Sequence, residues 1–281
     1  MKLDAHQHFW IYSKARDLWI EDGMEILMRN FMPGDIARGM KVNETEGCIA
    51  VQSETSEAGN AFLLHLAETE PAIKGIVGWV DLCSSQITEN LEYWSTFSLI
   101  RGFRHVLEGQ DASFMLEPSF NKGISALAEF GFTYDLLISQ EQMPGAYTLV
   151  ERHDDVSFIL DHLGKPRIRE GGYKDWEKAI RKLASRPNLY CKLSGLVTEA
   201  DLQSWKPADF KRYVDCVLEV FTPQRLVFGS DWPVCLLAAT YDRVYELTQE
   251  LLSDCSLNEK DDIMGKNALH FYRINNGPLV K

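Results

Sequence analysis

The sequence lacks the features that mark secreted, membrane-spanning or nucleic-acid-binding proteins. No apolar run approaches the roughly 20 residues of a membrane span, and no apolar signal segment is visible at the N-terminus. Acidic residues outnumber basic ones, 41 against 29, and the formal net charge of -12 leaves no basic excess for phosphate backbones. We therefore expect a cytoplasmic protein with no nucleic-acid partner and no membrane partner.

The sequence also lacks the cysteine spacings of disulfide-rich or zinc-binding proteins and the glycine-rich loop of dinucleotide-binding proteins. The six cysteines form no Cys-x-x-Cys pair and most lie in apolar stretches, which favours reduced, buried residues over a disulfide framework or a zinc knot. No glycine-rich loop follows the first apolar stretch, which argues against a dinucleotide-binding open sheet. Low-complexity tracts, repeats and linkers are absent, so we expect a single domain over residues 1–281.

The sequence does contain a regular alternation of short apolar stretches and helical segments. The apolar stretches are rich in Val, Ile, Leu or Phe, as buried parallel strands are, and they span residues 3–8, 47–52, 75–81, 99–105, 132–138, 157–162, 189–194 and 226–231. Helical spacing is seen between them at 57–70, 84–97, 175–184, 208–221 and 241–252. Eight strands alternating with helices predict an α/β protein with a (β/α)8 TIM barrel, a fold of about 250 residues.

Polar side chains lie at the ends of these predicted strands. His6 and His8 end the first strand, and their spacing of two residues places both imidazoles on one face. The later ends carry Gln52, Asp81, Arg104 and His105, Asp135, Asp161 and His162, Lys192 and Ser194, and Asp231 and Trp232. Because barrel enzymes carry catalytic groups at the carboxyl ends of their strands, we expect an active site at this rim. A lone histidine at one such end would more often be a packing residue.

Five motifs carry a resemblance to a known family. They are His6-Gln-His8-Phe-Trp10, Arg101-Gly-Phe-Arg104-His105, Asp161-His162-Leu-Gly-Lys-Pro166, Lys192-Leu-Ser-Gly195 and Phe228-Gly-Ser-Asp231-Trp-Pro233. Together they resemble the amidohydrolase superfamily, and more narrowly its branch of sugar-acid lactonases, the L-fuconolactonase and L-rhamnonolactonase type. The resemblance spans almost the whole chain, but none of the motifs specifies the substrate.

The resemblance implies catalytic or metal-binding roles for four residues. His6 and His8 match the metal ligands of the first strand. Asp231 matches the eighth-strand aspartate that ligates metal and activates water, and His162 matches the sixth-strand histidine that binds metal or polarises the carbonyl. The sequence departs from the fuller pattern, because the fourth strand does not end in a lysine and the fifth does not end in a histidine. We expect at most one divalent metal ion, with zinc preferred, and metal-independent activity is the alternative.

A second set of rim residues is expected to contact the substrate, although each has a structural alternative. Arg104 and Lys192 could form ion pairs instead, and Gln52 could satisfy backbone groups. His105 is adjacent to Arg104, and a regular strand would aim only one of the two into the barrel. The segments 9–31 and 106–119 would cover the mouth and select the substrate. The substrate-binding set is Trp10, Gln52, Arg104, His105, Asp135, Lys192 and Trp232.

Hydrolysis of a sugar-acid lactone is the chemistry that these residues support best. Opening a cyclic ester requires a base for water and a positive group at the developing oxyanion, and little else. One alternative is a decarboxylase or hydratase of small aromatic or enol acids, which the missing fifth-strand histidine disfavours. The other is a barrel that binds sugar acids without catalysis, which the complete set of histidines and aspartate disfavours. The expected partner is a small lactone of carbohydrate metabolism, and a homo-oligomer is left open.

Overall fold

The computed structural model describes residues 1–274, and its centre is an eight-stranded parallel sheet. Each strand pairs with the next in chain order, and a parallel bridge between Gln7 and Trp232 closes the sheet into a barrel. The predicted (β/α)8 fold is therefore confirmed, while residues 275–281 of the expected domain lie outside the described part. The strands are β1 (Lys2–Gln7), β2 (Thr45–Val51), β3 (Ile73–Gly78), β4 (Ile100–Val106), β5 (Thr133–Leu137), β6 (Phe158–Leu160), β7 (Leu189–Leu193) and β8 (Leu226–Phe228).

Helices follow the strands and cover the outside of the barrel. Three of them begin with proline, which has no N–H to leave unpaired in the first turn of a helix. None of the helices within residues 1–274 combines the length and the apolar character that crossing a membrane requires. The helices are α1 (Pro33–Val42), α2 (Glu57–Thr69), α3 (Ile87–Ser95), α4 (Pro118–Phe130), α5 (Met143–Arg152), α6 (Tyr173–Leu183), α7 (Pro207–Phe221), α8 (Tyr241–Leu251), α9 (Leu257–Asp261) and α10 (Asn267–Phe271).

Two apolar clusters lie on opposite faces of the barrel wall. The larger one packs the helices against the outward side chains of the strands, and the smaller one fills the interior. Along β2, successive side chains point alternately outward and inward. Cys48 and Ala50 belong to the outer cluster, while Ile49 and Val51 belong to the inner one. The inner cluster comprises Leu3, Ala5, Ile49, Val51, Val77, Ile159 and Val227 from the strands, with Ala268, Phe271, Tyr272 and Ile274 from the C-terminal segment.

The C-terminal segment seals the amino end of the barrel. A short π-helical turn, Asp262–Lys266, packs against β1 and β8 before α10 begins. Gly265 allows this close approach, because a Cβ there would lie 2.2 Å from the carbonyl oxygen of Met1. With one end sealed, the opposite end, where the strands finish, is the open mouth of the barrel.

The third, sixth and eighth strands end earlier than predicted, and β8 stops at Phe228, so Asp231 lies in the segment that follows it. β6 stops at Leu160, and Asp161–Gly164 form a tight helical turn in which His162 and Leu163 have positive φ. β3 stops at Gly78, so Asp81 lies in the loop that follows. All six cysteines are free, as predicted, but only four are buried, since Cys83 and Cys255 are partly exposed.

Candidate active site

A bulge in β1 directs the first histidines towards the mouth. Asp4 pairs with Cys48 and Gln7 pairs with Ala50, so β1 has one residue more than β2 in this interval. An extra residue in one strand reverses the alternation beyond it and turns later side chains to the other face. His6 consequently joins the barrel interior directly after Ala5, which also faces inward.

Four residues that the sequence singled out lie together at this mouth. His6 and His8 approach through their Nε2 atoms at 3.1 Å. The Oδ1 atom of Asp231 lies 3.7 Å from Nε2 of His6, 3.5 Å from Nε2 of His8 and 3.9 Å from Nε2 of His162. All four side chains are buried. The expectation that they share one mouth is therefore confirmed.

Unusual backbone conformations hold His162 and Asp231 in place. Both have positive φ, 53° and 59°, a region that residues with a Cβ adopt at a cost. Gly195, itself at φ 66°, leaves room for the imidazole of His162, because a Cβ at this position would lie 2.6 Å from Nδ1. Ser194 adds a hydrogen bond of 2.9 Å between its Oγ and the same Nδ1. The left-handed turn lets consecutive residues, Asp161 and His162, both face the interior.

The electrostatics of this cluster favour an ionised Asp231 beside neutral His6 and His162. Burial raises the pKa of Asp231, but His162, His8 and His6 outweigh it and hold that pKa below its usual range. Burial lowers the pKa of His162, and burial together with the charge of Lys192 lowers the pKa of His6 well below its ordinary value. Asp231 is therefore ionised at neutral pH, and its carboxylate oxygens are available to accept a proton.

A layer of paired charges lies next to the histidines. Nζ of Lys192, which is fully buried, lies 2.5 Å from Oδ2 of Asp135, 2.9 Å from Oδ1 of Asp161 and 3.0 Å from Nδ1 of His6. Tyr272, from the C-terminal segment, donates to Oδ2 of Asp135 at 2.8 Å. The contacts with Asp135 and His6 are hydrogen bonds, and the contact with Asp161 is an ion pair. Lys192 and Asp135, both expected to bind substrate, instead contact other protein groups.

Arg104 extends this layer of charges towards β2. Its Nη1 donates to Oδ2 of Asp161 at 3.1 Å, and its Nη2 donates to the backbone carbonyl of Gln52 at 2.7 Å. Burial works against ionisation of Asp161, yet Lys192, His6 and Arg104 together hold its pKa well below the usual value. Burial raises the pKa of Asp135 to about 6. The two carboxylates beside one lysine thus differ in pKa, and Asp161 is the one that is firmly ionised.

The remaining residues of the expected substrate set lie in three different environments. His105 points away from the barrel interior and stacks on Phe114 with ring centroids 5.3 Å apart, so Arg104 is the member of this pair that faces inward. Trp232 packs edge-on against Phe31. Trp10 and Gln52 line a cavity of about 180 Å³ beside the mouth, whose other lining residues include Phe9, Arg16 and Glu54.

One set of side chains at the mouth has the spacing of a metal site. Ligands about 2.0–2.1 Å from a tetrahedral zinc ion lie about 3.3 Å apart, close to the 3.1, 3.5 and 3.7 Å that separate the donor atoms of His6, His8 and Asp231. Nδ1 of His8 lies 2.9 Å from the carbonyl oxygen of Val51 and donates to it, so the lone pair of Nε2 can face a metal ion. A second set, His6 with Asp161 and His162, also clusters, but Asp161 is already paired with two cations. The spacing therefore fits one divalent ion.

Three residues of this site were not among the predicted ones. Asp161 was noted only as a strand end and was not assigned a role. Ser194 was likewise noted only as a strand end. The polar ends of β6 and β7 were the signal for both. Tyr272 lies nearly 140 residues from Asp135 in the chain, and nothing local indicates their contact.

Comparisons with known proteins agree on one family. The family model for amidohydrolases matches residues 3–274. An L-fucono-1,5-lactonase of Burkholderia multivorans is 39% identical, with 98% of this chain and 96% of the relative covered. One of Burkholderia ambifaria is 30% identical, with 97% and 96% covered. A crystal structure of an amidohydrolase from Burkholderia multivorans with bound zinc superposes with a TM-score of 0.95 at 37% identity, covering 98% of this chain and 99% of that one.

Proposed function

This chain belongs to the amidohydrolase family, and we propose that it is a lactonase that opens a sugar-acid lactone such as L-fuconolactone or L-rhamnonolactone. The observation that carries the proposal is one ionised carboxylate, Asp231, within 3.9 Å of three imidazole nitrogens at the mouth of the barrel. Similarity over nearly the full chain to two L-fucono-1,5-lactonases supports the substrate class. The partner is a small metabolite of carbohydrate metabolism, and the proposed location is the cytoplasm.

Asp231 and His162 have the central roles in the proposed reaction. Asp231 takes a proton from the attacking water as the new C–O bond forms at the lactone carbonyl. Nε2 of His162, with its proton, donates to the developing oxyanion, while the hydroxyl of Ser194 donates to Nδ1 and holds that tautomer. Collapse of the tetrahedral intermediate breaks the ring C–O bond, and Asp231 returns its proton to the departing alkoxide.

His6, His8 and Asp231 are the residues that would hold a metal ion. A divalent ion at this position, zinc in our proposal, supplies positive charge beside the reacting ester. The roles of His162 and Ser194 do not depend on it, because neither belongs to the set of donors that the spacing favours. Trp10 and Gln52, which line the adjoining cavity, are the residues that we expect to contact the sugar ring.

A panel of aldonolactones tests this function directly. Purified protein is mixed with freshly prepared 1,5- and 1,4-lactones of six-carbon and 6-deoxy sugar acids, and proton release is followed with a pH indicator. Each lactone is measured with added zinc, with a chelator and with neither. We expect one lactone series to be opened far faster than in buffer, with Asp231→Asn as the inactive control.

Two further assays on the same protein test the alternative functions. Release of carbon dioxide from small aromatic or enol acids, with no lactone opened, would show that the protein is a decarboxylase and refute the proposal. Binding of sugar acids measured by calorimetry, without turnover of any lactone, would show that the barrel binds sugar acids without catalysis. Two solved structures of decarboxylases, 13% and 12% identical to this chain, share its fold and give no support to the decarboxylase alternative beyond the fold.

A further inference from the structure

We infer that Lys192 is a positioning residue that holds His6 as the tautomer protonated on Nε2, so that His6 donates a hydrogen bond into the mouth and opposes metal binding there. This inference concerns the geometry of His6 and does not rest on the proposed lactonase activity. Its tests therefore use no substrate, and their failure is distinguishable from a failure of the lactone panel.

The contact between Lys192 and His6 is the first reason. An ammonium group only donates, so at 3.0 Å its N–H requires a lone pair on Nδ1 of His6. A neutral imidazole that accepts at Nδ1 carries its proton on Nε2. The lysine has no freedom to avoid this contact, because Asp135 and Asp161 hold Nζ in place from two other directions and the side chain is fully buried.

The contact between His6 and His8 is a second and independent reason. His8 donates from Nδ1 to the carbonyl of Val51 at 2.9 Å, so in its neutral form Nε2 is an acceptor. Nε2 of His6 lies 3.1 Å from that acceptor. Two acceptors at this distance would repel each other, whereas a proton on Nε2 of His6 makes the contact a hydrogen bond. Both neighbours of His6 thus require the same tautomer.

The opposite tautomer has weaker support from its surroundings. With the proton on Nδ1, His6 would face the ammonium of Lys192 at 3.0 Å as donor against donor. It would gain only a 3.5 Å approach to Oδ1 of Asp161 and a 3.4 Å contact from Nη1 of Arg104 to Nε2. Hydrogen bonds of N–H to O or N weaken beyond about 3.2 Å, so the shorter contacts decide the tautomer.

This tautomer affects metal binding, because a histidine ligand needs a free electron pair. Metal-bound histidines ordinarily donate from their second nitrogen to a carboxylate or carbonyl, as His8 does here. At His6 the second nitrogen faces a lysine instead, so the spacing of the site fits zinc while the surroundings of one ligand oppose it. Lys192 therefore lowers the affinity of this mouth for a divalent ion.

Heteronuclear nitrogen NMR of the metal-free wild-type protein tests the tautomer. Imidazole nitrogens with and without a proton resonate in well-separated regions, and a His6→Asn variant identifies which signals belong to His6. We expect Nε2 of His6 to be protonated and Nδ1 unprotonated, with the reverse pattern for His8. A His6 that is protonated on Nδ1 in the metal-free protein would overturn the inference, whatever any variant does.

Calorimetric titration with zinc tests the consequence. In the double variant Lys192→Met with Asp135→Asn, the lysine is removed together with one of its carboxylates, and Asp161 becomes free to accept from Nδ1 of His6. We expect zinc to bind about 10- to 100-fold more tightly than to the wild type, the range typical of changes in the partners of metal ligands. Unchanged or weaker binding by this variant, once circular dichroism shows it folded, would overturn the inference.

A matched control separates tautomer control from a general effect of charge. Lys165 and Glu108 form another lysine–carboxylate pair at 2.7 Å near the mouth, and neither side chain contacts His6. We expect Lys165→Met with Glu108→Gln to change zinc affinity by less than about 3-fold, because the partners of the metal ligands are intact. Equal tightening in both double variants would assign the effect to charge alone and overturn the role of Lys192.

Discussion

The interior of the barrel has two layers with opposite chemistry. The layer near the sealed end is made of aliphatic side chains such as Leu3, Ile49, Val77 and Ile159. The layer at the open end contains imidazoles, carboxylates, a lysine and an arginine, all nearly excluded from solvent. Aliphatic groups gain free energy from burial without partners, whereas buried charges require them. Stability and chemistry are therefore separated along one axis, and substitutions in each layer should have different consequences.

Asp231→Asn should have the largest effect, and it should lower the catalytic rate without unfolding the protein. Asn keeps the shape of the side chain but cannot accept a proton, and loss of a general base costs about 10²–10⁴-fold in rate. Steady-state kinetics on the best lactone measures the loss, and thermal unfolding checks the fold. Asp254→Asn, at an exposed aspartate far from the mouth, is the matched control. A kcat near that of the wild type in Asp231→Asn would refute the proposed activation of water.

His162→Asn should be the next most damaging change in the polar layer. Removing one donor to an oxyanion typically costs about 10²–10³-fold in kcat. Ser194→Ala should cost less, because it removes only the 2.9 Å hydrogen bond that orients His162. Parallel kinetics on the two variants gives the order of effects. A larger loss in Ser194→Ala than in His162→Asn would contradict the assignment of the oxyanion contact to His162.

Ile159→Ala should lower stability and leave the catalytic rate nearly unchanged, because Ile159 lies in the aliphatic layer. The side chain is completely buried, and replacing such a residue by alanine typically lowers the free energy of unfolding by about 2–5 kcal/mol. Urea unfolding measures the loss, and kinetics at low temperature should remain close to those of the wild type. Ile26→Ala, at a half-exposed isoleucine, provides the control. A large fall in kcat without a fall in stability would show that the two layers are coupled.

Tyr272→Phe should have the smallest effect on stability and activity among these variants. It tests the contact between the aliphatic layer and the polar layer. Its ring belongs to the aliphatic cluster, while its hydroxyl donates to Asp135 in the polar layer. Hydrogen bonds to charged groups contribute about 1.5–3 kcal/mol, so we expect a loss of stability in this range and little change in kcat. Chemical unfolding of Tyr272→Phe beside Tyr93→Phe, at an exposed tyrosine, gives the comparison. Equal stability of the two variants would mean that the hydroxyl contributes nothing.

The sequence predicted the barrel and its catalytic rim because both follow from local pattern. Apolar stretches of strand length alternate with helical segments, and polar residues lie where each stretch ends, so topology alone brings His6, His8, His162 and Asp231 to one mouth. The motifs around these residues added the family. None of these inferences needed the direction of any individual side chain beyond the alternation of a regular strand.

The tertiary structure decided where regular alternation fails and which polar groups are paired. The bulge that turns His6 inward is held by Asp4, whose Oδ1 accepts from the backbone N–H groups of His6 and Ser230, and Ser230 is 226 positions away in the chain. The imidazole of His162 occupies space that a Cβ at Gly195 would fill. Lys192 was predicted to contact substrate but lies buried among protein partners. Backbone bends and ion pairs of this kind depend on residues that are distant in sequence, so a local pattern cannot encode them.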